Sequence, residues 1–225
     1  MRTCRACAVA GVVVVGLVGG LASPALAAPG SPYHWHVGIY APSNRTLSMG
    51  EAAHTAAGLA AFRFTTAQNT ALLITTQGSQ LGNLLGDLYG ERVSATFTIS
   101  GTDPCFTYYG DAVASCDTGT SVRLFFETSA AGGFAETHYW WSNPVGAEEL
   151  GKGTITLSAT ITPAEWSDFY GHFGNASGFV AAFDAAAANV TGIGLSFGGG
   201  NGFENGVGAP DASLTLTSFS VTPAP

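Results

Sequence analysis

The sequence predicts an all-β fold: a two-sheet antiparallel β-sandwich with two short helices near residues 163–188. Three observations carry this. Segments with an apolar residue at every second position recur through both halves of residues 28–225. Clusters of Gly, Ser, Thr, Asn and Pro separate them at turn spacing. Helical periodicity is confined to one late crossing.

The elements follow in order. Tyr33 to Tyr40 alternates and reads as the first strand. His34 and His36 share one of its faces, although a metal site needs more ligands than this pair supplies. Residues 41–59 are polar and small, and read as loop. Phe62 to Thr65 and Leu72 to Thr76 read as strands joined by a hairpin turn at Ala67-Gln68-Asn69-Thr70. A turn-rich apolar loop, Leu81 to Gly90, leads into the clearest strand of the chain. There Val93, Ala95, Phe97 and Ile99 face one way, and Arg92, Ser94, Thr96 and Thr98 the other.

Ser121 to Thr128 is apolar on both faces, which predicts a central strand. Glu136 to Trp141 reads as a strand ended by Asn143-Pro144, and Gly153 to Ile161 as another. Thr162, Pro163 and Glu165 occupy N-cap, first-turn and capping-box positions, with Trp166, Phe169 and Tyr170 as the apolar face of a first helix. A second helix runs from about Ser177 to Ala188. Val190 to Phe197 and Leu214 to Val221 read as two late strands around a glycine-rich excursion that begins Gly198-Gly199-Gly200. The slip in alternation at Thr217-Ser218 predicts a β-bulge. With strands in both halves and helices at one crossing, the expected arrangement is jelly-roll-like.

Residues 1–27 read as a secretory signal peptide, and residues 28–225 as one domain. Arg2 and Arg5 precede an apolar run, and Ala25-Leu26-Ala27 forms a small-x-small cleavage site. Loss of the two arginines leaves five basic against fifteen acidic residues. So acidic a chain is a poor partner for nucleic acid or anionic membranes. It suits neutral partners such as polysaccharides, or cations. The domain contains no membrane span, and the expected location is extracellular. Cys105 and Cys116 are its only cysteines, and an oxidising compartment predicts their disulfide.

If Glu136 to Trp141 is a strand, Glu136, His138 and Trp140 share a face. That face could present a ring to sugar, flanked by a carboxylate and an imidazole. Packing in the core is the stronger account of these aromatics. Tyr108 and Tyr109, on the disulfide loop, are the second aromatic candidate. Asp103, Asp111 and Asp117 surround that loop and could supply oxygen ligands to a structural calcium; no other cofactor is expected. Glu127 and Glu136 are the carboxyl pair open to a glycosidase, which needs two across a sugar. Nucleophile-elbow, zinc-protease and phosphate-loop motifs are absent. Asn44, Asn175 and Asn189 stand in formal glycosylation sequons.

Four blocks carry a resemblance: Leu84 to Leu88 ahead of Ser94 to Thr98; Tyr139 to Pro144; Gly194 to Gly200; and Phe203 to Val207. Across most of residues 28–225 they resemble a group of small secreted bacterial proteins of unassigned function. In architecture the chain also resembles carbohydrate-binding jelly rolls, which implies sugar held on aromatic platforms. The leading expectation is a secreted, non-catalytic module binding glycan or cell-surface material. The alternatives are a glycoside hydrolase or lyase on the same scaffold, and a structural, self-associating surface protein. Reduction of the cysteine pair should lower stability by about 2–3 kcal/mol, read as a shift in the urea midpoint with and without reductant.

Overall fold

The computed structural model describes residues 35–41, 43–55, 59–77, 84–110, 116, 119–128, 134–143, 147–200 and 205–224. The expected signal peptide lies outside them. In chain order the strands are β1 (Trp35–Tyr40), β2 (Leu47–Glu51), β3 (Ala53–His54), β4 (Ala60–Arg63), β5 (Thr70–Thr75), β6 (Glu91–Ser100), β7 (Thr107–Tyr108) and β8 (Thr120–Glu127). Then come β9 (Tyr139–Ser142), β10 (Glu148–Glu149), β11 (Gly153–Thr160), β12 (Trp166–Asp168), helix α1 (Val180–Ala187), β13 (Gly192–Gly199), β14 (Val207–Gly208) and β15 (Ser213–Pro223).

Two antiparallel sheets result. The first runs β12-β9-β8-β13-β5-β1-β2, with β10 beside β8 and β14 bridging β5 to β7. The second runs β11-β6-β15-β4-β3. Alternation along β6 explains the second sheet: Val93, Ala95, Phe97 and Ile99 are buried, while the opposite face carries threonines. Thr96 pairs with Thr156 and Thr98 with Thr154 across to β11, each hydroxyl pair 3.1 Å apart. β15 lies on the other side of β6, and its register shifts between Leu216 and Ser218, at the expected bulge. Thr217, the extra residue, donates its hydroxyl to the Thr96 carbonyl at 2.9 Å.

The core between the sheets is aromatic. Phe126 meets Trp166 at 4.8 Å, Trp140 meets Phe183 of α1 at 5.0 Å and Trp35 meets Phe219 at 5.2 Å, all edge to face. Two of these buried indoles keep hydrogen bonds: Trp140 donates to the Thr137 carbonyl at 2.8 Å, and Trp166 to the Thr160 carbonyl at 2.7 Å, whereas the Trp35 N–H has no partner among the described residues. β8 is flanked by β9 and β13, the central position that its two apolar faces predict. The Cys105–Cys116 disulfide is formed.

Three expectations are corrected. Residues 41–59 include β2 and β3; β2 is an exposed edge strand, so its sequence needs no buried face on both sides. Ala67 to Thr70 does not close a hairpin, because β4 belongs to the second sheet and β5 to the first. Tertiary bonds hold this crossing: Asn69 Nδ2 donates to the Tyr40 carbonyl at 2.9 Å, and Ala209 N–H to the Thr65 carbonyl at 2.9 Å. The first helix is instead a turn followed by β12. The Glu165 carboxylate accepts from the Thr160 N–H at 2.9 Å, and pairing with β9 overrides the helical pattern. Among the described residues α1 is the only α-helix.

Gly194 in β13 is set by close packing: a Cβ there would fall 1.9 Å from the Leu73 carbonyl oxygen of β5. Gly194→Ala should therefore cost about 3 kcal/mol or more, beyond ordinary overpacking. Gly50→Ala, whose Cβ would meet nothing within 4 Å, should melt close to the parent in a circular-dichroism scan.

Candidate functional site

The outer face of the first sheet is not a solvated face. In β13, Ile193, Leu195 and Phe197 point into the sandwich, so Gly192, Gly194, Ser196 and Gly198 form the opposite face. This gives a floor almost bare of side chains. Neighbouring strands raise walls beside it: Phe125 and Glu127 from β8, Tyr139 and Trp141 from β9, Leu72 and Ile74 from β5, and Leu47 and Met49 from β2. Leu72, Ile74, Phe125 and Trp141 belong to a second apolar cluster, separate from the main core, with Tyr40, Leu47 and Tyr139 packed against it. The Trp141 indole donates to Ser196 Oγ at 2.8 Å, which ties the aromatic wall to the floor.

Two adjoining hollows open on this face and share Leu47. The larger, about 370 Å³, is lined by His36, Leu47, Met49, Leu72, Ile74, Thr76 and Glu127. The smaller, about 170 Å³, is lined by Tyr40, Leu47, Phe134, Tyr139 and Phe169. Gly38 lets β2 fold its side chains over β5: a Cβ at 38 would lie 3.0 Å from Leu72 Cβ and 3.1 Å from Met49 Sδ. Gly192 does the same for Glu127 and Ile74, whose nearest atoms would each lie 2.8 Å from a Cβ.

Rings dominate the smaller hollow. Phe134 stacks on Tyr139 at 5.6 Å and 21°, and Phe169 meets Phe134 edge-on at 5.0 Å. Phe134 is 59% exposed and Phe169 36%, so the cluster presents ring surface to solvent. Nearby, the Arg45 guanidinium lies 4.1 Å from the Tyr40 ring centre and 3.8 Å from that of Tyr109. It also donates to the Asn205 carbonyl at 2.6 Å. In the larger hollow Glu127 is the acidic lining residue, and burial pushes its carboxyl pKa up. Burial pulls the Arg123 guanidinium down on the same strand.

The residues expected from sequence are distributed differently. Glu136 to His138 form a 3₁₀ turn, not strand, so the two-residue period does not carry through to Trp140. Trp140 is fully buried, and Glu136, His138 and Trp140 do not make one exposed face. Its neighbours Tyr139 and Trp141 hold the outer side. Tyr108 is half-buried against β13, where a Cβ on Gly199 would fall 2.2 Å from its ring. Tyr109 is 49% exposed, with Arg45 over its ring. Glu127 stands opposite Tyr139 in the β8–β9 register, so Glu136 does not face it across the strands.

Asp103 is exposed on its loop; Asp111 and Asp117 lie outside the described residues. Among the described residues no group of three or more His, Cys, Asp or Glu side chains could hold a metal ion. No helix of the described residues is long and apolar enough to cross a membrane. Sequence reasoning missed Tyr40, Leu47, Met49, Phe134, Tyr139 and Phe169 as one surface. The Gly-x-Gly-x-Ser-x-Gly alternation of β13 was the available signal for its floor; nothing local marked β2 as its far wall.

Comparison with known protein families, with curated proteins and with solved structures finds no match to this chain. The functional reading therefore rests on the chemistry of the face itself.

Glu127 carries a stability consequence. Its folded pKa is raised above the unfolded value of about 4.3. The folded state then binds more proton than the unfolded state as pH rises through that value, and stability falls. Glu127→Gln should melt higher than the parent at pH 7. The gap should close below about pH 4, where both states of the parent are protonated. Melting scans at the two pH values check this.

Proposed function

We propose that this chain is a secreted, non-catalytic binding module that holds glycan or other cell-surface material on the outer face of its first sheet. The observation that carries this reading is the exposed ring cluster of Phe134, Tyr139 and Phe169 beside Tyr40. Flat rings suit the apolar faces of pyranoses, and hydroxyl and carbonyl groups at their margins bind sugar hydroxyls. The platform first assigned to Trp140 passes in this reading to Tyr139 and its neighbours. The few charged residues of the chain, seven basic and fifteen acidic in all, disfavour an anionic ligand and suit a neutral one. Secretion rests on the leader-like residues 1–27 and agrees with a disulfide-bearing domain. The jelly-roll relation belongs to the same proposal.

One observation favours a second reading, a glycoside hydrolase or lyase. Glu127 lines a hollow and has the raised pKa that a general acid needs. A second carboxylate opposite it would complete the usual pair, and Glu136 does not occupy that place. Product release from a polysaccharide panel, abolished in Glu127→Gln, would establish this alternative.

Pull-down on insoluble polysaccharides and a glycan array test the leading reading. Tyr139→Ala and Phe169→Ala should each weaken binding by about tenfold, on the order of 1.4 kcal/mol. Glu136→Ala should leave it unchanged. Failure to bind any glycan, or binding indifferent to both ring deletions, rejects the module.

A further inference from the structure

The larger hollow has a different chemistry from the ring cluster. Strand register sets its layout. Gly192 of β13 faces Glu127 of β8, Gly194 faces Ile74 of β5, and Ile74 faces His36 of β1, which faces Glu51 of β2. Further along the strands, Ser196 faces Leu72, Leu72 faces Gly38 and Gly38 faces Met49. Leu47 follows, opposite Tyr40. One end of the hollow is therefore polar, with Glu127, Thr76 and His36, and has Glu51 next to His36. The other end is aliphatic, with Leu72, Met49 and Leu47.

Gly192 leaves room for the Glu127 and Ile74 side chains to meet over β13, and these two line the hollow. At about 370 Å³ the space lies in the lower range of small-molecule sites. Met49 stands 46% exposed over it. A sugar would leave its hydroxyls against four apolar side chains with no partners. An aliphatic chain would remove that apolar surface from water at no such cost.

The charge at the polar end selects the head group. Glu127 is the acidic group of the lining and His36 its imidazole, Glu51 stands in register with His36 on the next strand, Arg123 shares the face opposite Ser196, and the whole chain carries a formal charge of −8. An ammonium head would meet the Glu127 carboxyl and the overall negative field, and that field disfavours an anionic head.

We propose that this hollow is a binding site for a cationic amphiphile: an aliphatic chain lying along Leu72, Met49 and Leu47, with an ammonium head at Glu127. The site is distinct from the ring cluster and does not depend on the glycan reading. It makes the outer face bipartite, with sugar-like and alkyl-like subsites meeting at Leu47.

Calorimetric titration of the full chain with decylamine, decanol and decanoate, each below its micellar concentration, tests this. Decylamine should bind most tightly, at least tenfold better than decanoate, with decanol between them. Glu127→Gln should remove the preference for decylamine over decanol while decanol still binds. Met49→Asn, at an exposed position, should weaken all three probes several-fold. Tyr139→Ala should leave decylamine binding intact, which separates this site from glycan binding. Absence of binding by all three probes, equal affinity for them, tightest binding of decanoate, or indifference to Met49→Asn would each overturn the proposal.

Discussion

The structure depends on one constraint in β13: a central strand buried on both faces that is bulky on one side and nearly bare on the other. Ile193, Leu195 and Phe197 fill the space between the sheets. Gly192, Gly194 and Ser196 let β5 and β8 bring their own side chains over the strand from either side. A strand buried on both faces ordinarily carries bulk on both. Here the missing bulk is made up by Ile74, Glu127, Phe125 and Trp141, and what they leave uncovered is the pair of hollows.

The two sheets treat their outer faces in opposite ways. The second sheet ends in a threonine ladder, Thr96–Thr156 and Thr98–Thr154, that is content in water. The first carries a second apolar cluster outside the main core. A face that merely met solvent would not gather Leu72, Ile74, Phe125, Trp141 and Tyr40, since their burial there requires neighbours on the same side. This asymmetry makes the outer face of the first sheet the candidate site. It also explains how tryptophans adjacent in sequence differ in role: Trp140 packs on Phe183 in the core, while Trp141 bonds Ser196 on the outer side.

The hollows divide by chemistry because different elements build them. Rings come from β9 and from the segments around Phe134 and Phe169, near β12 at one edge of the sheet, with Tyr40 of β1 completing them. Aliphatic groups come from β5 and from β2 at the other edge. Glu127 and His36 stand at one end of the strands, where their backbones pair with β13 and β5. Burial disfavours the Glu127 charge, so its ionised form costs the fold stability.

The sequence by itself determined the all-β class, the β6 and β11 faces, the central place of β8, the bulge in β15 and the disulfide. Each follows from a local rule: period-two burial, apolar residues on both faces, a one-residue slip, or an even cysteine count. Tertiary structure alone decided the rest. Trp166 carried a valid helical pattern and still became strand, because β9 offered it an edge. Ala67 to Thr70 has turn chemistry that suits a hairpin or a crossing alike, and Asn69 bonding to Tyr40 selects the crossing. The 3₁₀ turn at Glu136 to His138 broke the alternation and sent Trp140 inward, which moved the expected platform to Tyr139. The candidate site gathers side chains from β1, β2, β5, β8 and β9, far apart along the chain. Register between strands brings them together, and register is a property of pairs of strands that no single segment encodes.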